Sequence, residues 1–282
     1  RKVIVDDRLP VDKRNKPLCS FSNAGNELWV SIIEKAYMKL NGGYDFPGSN
    51  SGIDLYCLTG WIPEHFRFDS DGFDKKRTWE RLVSGYKHGD CLITIATGKM
   101  SEADEEKWGL VQTHAYAILG VQEVRGIRLL QVKNPWAHKR WKGAYSAGDT
   151  TRWTPFLKAA LKYDPEHARQ FDNGIFWIDY DSMLKFYRSI YFNWNPGLFA
   201  SRQQLHASWN LKAPGPVNDS YNIGYNPQFG LVVNVPRQIN GRPGATAAVW
   251  LVLSRHVTRT EVTDESRDRE GRIGAGGDAA DP

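Results

Sequence analysis

The sequence predicts an α+β fold: an antiparallel sheet with flanking helices, followed by the start of a β-sandwich. Three observations predict it. Before residue 90, apolar residues recur at helical spacing, as at Leu28, Ile32, Ile33, Ala36, Tyr37 and Leu40. From Cys91 the period becomes that of a strand, beginning with Cys91-Leu-Ile-Thr-Ile-Ala-Thr97. Beyond Asn195-Pro196-Gly197, short apolar runs are separated by Gly and Pro, the punctuation of a sandwich.

In chain order, residues 3–5 read as a short strand ahead of Asp6-Asp7-Arg8-Leu9-Pro10. The helical run spans about 25–40 and is stopped by Asn41-Gly42-Gly43. Gly, Ser and Asn dominate 44–60, which reads as a surface loop. A second helix is expected around Thr78–Tyr86. After the Cys91 strand, 111–121 and 127–134 form two more, with Glu123-Val124-Arg125-Gly126 as the hairpin turn between them. Phe176-Trp177-Ile178 is a strand, Asp179–Tyr187 a short helix and 190–194 a strand. Further strands are expected around Leu231–Val235 and Ala248–Leu253. From about 258, large apolar residues give way to Arg, Asp, Glu, Gly and Ala, the composition of a disordered tail.

Composition narrows the function classes. An apolar content of 41% with 24% charged residues is that of an ordinary globular chain, long enough at 282 residues for two modest domains. No apolar run approaches the roughly 18–20 residues of a membrane span. The three cysteines have neither metal-ligand nor redox spacing, so reduced thiols in the cytoplasm are expected. The net charge of +5 is spread without a basic run, which argues against a nucleic-acid partner. Arg1 is not an initiator Met, so a fragment, a processed product or an incomplete gene model is expected.

The chemistry concentrates in 109–143. With the turn centred between Val124 and Arg125, His114 and Asn134 fall across from one another within a residue, on the same side of the hairpin. An amide oxygen that accepts from one ring nitrogen fixes the imidazole tautomer and leaves the other nitrogen to take a proton from a thiol. A lone His on a half-buried strand is more often a packing residue, and Asn before Pro is a common turn, so spacing alone leaves both readings open.

His114-Ala-Tyr116, Asn134-Pro-Trp136 and Trp141-x-Gly143 together resemble the catalytic core of the calpain family of cysteine proteases. So do Val5-Asp-Asp-Arg-Leu-Pro10, Glu34-Lys-Ala-Tyr37, Asn41-Gly-Gly-Tyr44 and Phe176-Trp177, in the family's order and over about residues 1–195. Ser31–Tyr44, Thr59-Gly-Trp-Ile-Pro63 and Trp194-Asn-Pro-Gly-Leu198 look most like its atypical calpain-7 branch. The resemblance implies the second half of a papain-like core over 1–198, a partial C2-like β-sandwich over 199–257 and a tail over 258–282. It implies that His114 is the catalytic base, that Asn134 orients it and that Trp136 shields their hydrogen bond from water. Glu27 matches a calcium-ligating carboxylate, and Arg140 stands where conventional members have an acidic calcium ligand, which speaks against that second site. Thr113 replaces the glycine that usually precedes the histidine. The nucleophilic cysteine, in a Gly-x-Cys-Trp context, and the oxyanion glutamine are expected upstream of Arg1.

The function expected is therefore that of a calpain-type, calcium-dependent-type cysteine endopeptidase acting on polypeptide substrates, with this chain inactive alone. No cofactor is expected for the chemistry, calcium at most regulates, and membrane or phospholipid contact would run through the C-terminal domain. The alternative is a non-catalytic calpain-like binding module. Retention of both His114 and Asn134 counts against it, because packing does not demand that pair.

Overall fold

Alternation along Cys91–Ala96 buries Cys91, Ile93 and Ile95 and turns Leu92 outward, so this segment is a strand with one face on a core. Around it the computed structural model builds a mixed fold. It describes residues 2–22, 24–45, 48–137, 139–170, 173–207, 228–235, 238–239, 242–243 and 246–254. The chain divides into two compact units, one over Asn50–Trp250 and the other over Arg1–Ser49 with the residues from Leu251.

In the smaller unit, α1 (Trp29–Leu40) ends at Asn41, whose backbone N–H bonds the Tyr37 and Met38 carbonyls. Its polar face is tied back to the preceding loop. Glu34 accepts from both the backbone N–H and the hydroxyl of Ser20, each at 2.7 Å, and Lys35 pairs with Asp6. Residues 3–5 are not a strand, contrary to expectation. Strands need a neighbour, and this segment instead lends the Ile4 carbonyl to Lys39.

The larger unit is a six-stranded sheet in the order β1-β6-β2-β3-β4-β5, every pair antiparallel. The strands are β1 Ile62–Arg67, β2 Cys91–Ala96, β3 Ala115–Val124, β4 Ile127–Lys133, β5 Ile175–Asp179 and β6 Ser189–Trp194. The main core lies on one face, where Ile95, Tyr116, Val132, Phe176 and Phe192 meet Trp79 and Leu82 of α3 (Lys75–His88) and Met183 of α7 (Tyr180–Phe186). Behind β4 and β5, Leu129 and Trp177 pack with Trp153 and with Leu157 of α5 (Pro155–Leu161). The Trp141-x-Gly143 spacing has a steric reason: a Cβ on Gly143 would lie 2.1 Å from the Trp141 ring, which stacks on Trp108 at the end of α4 (Glu102–Trp108).

Two elements depart from the sequence reading. The expected loop over 44–60 contains α2 (Ser51–Thr59), because its Asn and Gly are helix caps rather than loop residues. Asn50 accepts from the N–H groups of Gly52 and Ile53, and Gly60 takes a left-handed φ of 73°. β1 was not anticipated. It is the edge strand, so Pro63 costs no ladder bond to a second neighbour. Among the described residues beyond 198, the only paired strands are Gln238–Ile239 and Arg242–Pro243, so a β-sandwich is not seen. The expected strands Leu231–Val235 and Ala248–Leu253 lie within the described residues and are not formed, and the expected tail 258–282 lies outside them.

The α3–β2 contact offers a stability test. A Cβ on Gly85 would fall 2.3 Å from Cys91 Sγ and 3.4 Å from the Trp194 ring. Overpacking costs about 1–3 kcal/mol, against a helix-propensity gain of about 1 kcal/mol for Ala over Gly. Gly85→Ala should therefore destabilise in chemical denaturation, and Cys91→Ala in the same chain should recover most of the loss. Additive losses in the double variant would show that the sulfur is not the obstacle.

Candidate active site

The hairpin that carries the site turns at Arg125-Gly126, one residue later than the sequence suggested. Both take positive φ, 51° and 79°, as a two-residue hairpin turn requires. From this turn the strands run in the register Val124↔Ile127 to Gly120↔Gln131, and then shift at a bulge to Ile118↔Val132 and Ala117↔Lys133. β3 begins at the residue after His114 and β4 ends at the residue before Asn134. The ladder thus delivers both side chains beyond its last rung, on the face that holds Tyr116 and Val132.

There His114 Nε2 and Asn134 Oδ1 are 2.9 Å apart. The direction of this bond follows from its neighbours. Asn134 Nδ2 donates to the Lys139 carbonyl at 2.9 Å, and the Trp136 N–H donates to Asn134 Oδ1 at 3.0 Å. A carbonyl only accepts and an N–H only donates, so the amide is held with its oxygen toward the imidazole. Nε2 therefore carries the proton, and Nδ1 is the basic nitrogen. Asn134 is fully buried, and its own N–H donates to the Gly174 carbonyl at 2.9 Å. Gly174 has φ of 77°, and a Cβ there would lie 2.4 Å from the Asn134 carbonyl oxygen, so only glycine lets the two segments approach.

Aromatic rings enclose the imidazole on two sides. Tyr116 presents an edge at 5.0 Å and Trp136 lies at 4.3 Å, tilted by 42°. Trp136 is nonetheless 60% exposed, so it covers one side of His114 while its outer face meets solvent. Burial pushes the His114 pKa below its ordinary value, and the Asn134 hydrogen bond opposes the shift without cancelling it.

The described thiols of this unit stand away from the pair. Cys91 opens β2, about 17 Å along the strand at ~3.3 Å per residue from Ala96, which faces Ala115 beside His114. It is buried, and burial pushes its pKa up to about 12. Cys57 lies on α2, which packs through Ser51 on Thr94, on the sheet face opposite Tyr116. Cys19 is half-buried in the smaller unit. Glu27 precedes α1 and accepts from Ser22 Oγ at 2.7 Å, and among the described residues no three His, Cys, Asp or Glu side chains gather as a metal site. The Arg140 guanidinium donates to the Ala168 carbonyl. Lys139 and Gly174 escaped the sequence reading. They act through backbone carbonyls, which leave no residue-type signal, although a glycine just before an expected strand is a hint of close approach.

The hydrogen-bonded His–Asn pair stands at the mouth of an antiparallel hairpin. The profile described as calpain family cysteine protease matches residues 1–193, and the chain belongs to the calpain family of cysteine proteases. It is 52% identical to human calpain-7 over 272 residues, covering 96% of this chain and 32% of that protein. It is 38% identical to the calpain-like protease palB of Emericella nidulans over 272 residues, with 95% and 29% covered. With the calpain-type cysteine protease DEK1 of Zea mays the identity is 35% over 239 residues, with 82% and 11% covered. The chain thus spans about a third or less of the length of these relatives. Among the described residues no helix is long and apolar enough to cross a membrane.

The half-buried imidazole makes stability depend on pH with a definite sign. The folded pKa lies below the ordinary 6.5, so above 6.5 both folded and unfolded chains hold the ring neutral and the contribution is intact. As pH falls below 6.5 the unfolded chain binds the proton first, and stability should decline until the folded ring protonates as well. An NMR titration should place the His114 midpoint below 6.5, and Asn134→Ala should move it lower still, because the amide favours the protonated ring. An upward shift in that variant would refute the assignment of the bond.

Proposed function

We propose that this chain supplies the general base and its orienting amide to a thiol endopeptidase site, with His114 and Asn134 in those roles. The observation that supports this is the 2.9 Å Nε2–Oδ1 contact, with the amide locked by Lys139 and Trp136 so that Nδ1 is left as the base. In this reading a cysteine thiol from outside these 282 residues approaches Nδ1 and gives up its proton. The thiolate attacks a peptide carbonyl, and the imidazolium returns the proton to the leaving amine. The acyl-enzyme is then cleared by water, with Nδ1 again as base. Trp136 keeps bulk water off the His–Asn bond on its side, which preserves the tautomer through the cycle.

The chemistry uses no cofactor. Calcium would act, if at all, away from the Arg140 position, where a cation stands. The proposed substrates are polypeptides, cleaved at limited positions in the cytoplasm. The proposed boundary of the catalytic region is near 198, with a C2-like domain following as the surface for membrane or phospholipid contact.

Hydrolysis of a fluorogenic peptide by the full-length protease tests the assignment. His114→Ala should lower kcat by at least about 10³-fold, because nucleophile and base act as a unit. Asn134→Ala should cost on the order of 10²-fold through a misdirected ring. The 282-residue chain alone should be inert, since neither Cys57 nor Cys91 faces His114. Full activity in the His114→Ala enzyme would sink the proposal. Cleavage by the isolated chain that a thiol alkylator blocks would show that one of its own cysteines is the nucleophile.

A further inference from the structure

Each backbone N–H on the approach to His114 has an acceptor, and three of the four acceptors are side chains. Val111 donates to Tyr116 Oη at 2.8 Å and Gln112 to Glu105 Oε1 at 2.6 Å. Thr113 donates to the Gly98 carbonyl at 3.0 Å, and His114 to Thr97 Oγ1 at 3.0 Å. The last of these breaks the ladder pattern. β2 and β3 pair as far as Ala96↔Ala115, which makes Thr97 and His114 the next facing residues. A hydrogen-bonded antiparallel pair exchanges two N–H to carbonyl bonds. The Thr97 N–H does donate to the His114 carbonyl at 3.0 Å, but the return bond ends on the Thr97 hydroxyl instead of its carbonyl.

That hydroxyl in turn donates to the Val111 carbonyl at 2.6 Å, with the His114 carbonyl farther off at 3.2 Å. One oxygen on a residue only 5% exposed therefore holds both ends of the 111–114 turn. The turn does not hold itself, because Thr113 sits at φ of 44°, a left-handed conformation that a β-branched residue adopts only under constraint.

We infer that Thr97 is a positioning residue for His114, its hydroxyl keeping the strained turn in the conformation from which the imidazole meets Asn134. This rests on the catalytic reading of His114 given above and names a residue on another strand through which that site is set. Thr97→Val is close to isosteric but can neither accept from the His114 N–H nor donate to Val111. Thr97→Ser keeps both bonds.

The test uses two readouts. In the 282-residue chain, imidazole ¹⁵N shifts report the His114 tautomer, which should be Nε2–H in the parent and in Thr97→Ser and mixed in Thr97→Val. In the full-length protease, Thr97→Val should lower kcat by about 10²-fold, as a displaced base does, with KM little changed and most of the loss recovered in Thr97→Ser. A packing role alone would lower the melting temperature without moving tautomer or kcat. Should Thr97→Val fail to fold, Thr97→Ala, which also lacks the hydroxyl, is read in the same two ways, and parental tautomer and kcat in it overturn the inference equally. A folded Thr97→Val protein with parental tautomer and kcat overturns the inference. Activity that survives His114→Ala would overturn the catalytic reading instead, so the two failures are distinct.

Discussion

Two side chains beyond the end of a hairpin lie either on one face or on opposite faces, because strands alternate with period two. The Arg125-Gly126 turn by itself selects the wrong outcome here. Its register, Val124↔Ile127 to Gly120↔Gln131, would continue to place Asn134 opposite Ala117, leaving His114 on the other side of the sheet. Leu119, the extra residue at the bulge, resets the register by one and brings Asn134 to the face of Tyr116 and His114. The same step turns Tyr116, Ile118 and Val121 all into the main core while Leu119 itself stays 40% exposed. Core burial therefore holds the bulge in place. Without the bulge, strict alternation would turn either Tyr116 and Ile118 or Val121 out of that core.

Much of this was legible in the sequence. The period changed at Cys91, the helix ended at Asn41-Gly42-Gly43, and the hairpin was visible as two strands flanking Glu123-Val124-Arg125-Gly126, with its turn centred one residue early. Placing His114 beside Asn134 needed only the right parity. Taken strictly, the centre assumed for the turn sets Asn134 opposite Ala115 and leaves His114 on the other face, so only the allowance of one residue brought the pair together; the true route runs through a later turn and a bulge. The one hint of the bulge is Gly120 beside it, a glycine inside an otherwise apolar strand, a signal the sequence reading did not use. α2 was hidden for another reason, since Asn50 and Gly60 are both loop formers and helix caps and composition does not separate the roles. β1 was hidden because its sole partner, β6, lies far downstream, and an edge strand with Pro63 has a weak local pattern.

The residues that hold the site in place belong to the part that no pattern reveals. Lys139 and Gly174 contribute carbonyls, and Thr97 and Glu105 contribute side-chain oxygens to backbone N–H groups. Threonine and glutamate are ordinary at such positions, and only the three-dimensional path shows that their acceptors end on the approach to His114. The need for them follows from the path itself. Once the chain leaves the ladder at Ala115, each buried N–H requires a partner that no neighbouring strand supplies.

The protonation of His114 links this geometry to the proposed chemistry. Asparagine fixes the ring without adding charge, so burial prevails and the resting imidazole favours its neutral form. A carboxylate in the same place would fix the ring equally well but would favour imidazolium, which cannot accept a proton. The proposed thiol partner changes the balance at the moment of reaction. A thiolate formed beside Nδ1 is the negative charge that stabilises imidazolium, so base strength rises only when the proton is to be taken. A neutral orienting amide and a half-buried ring thus leave the protonation switch to the nucleophile. That is the arrangement expected of a base that must remain ready in the absence of its partner.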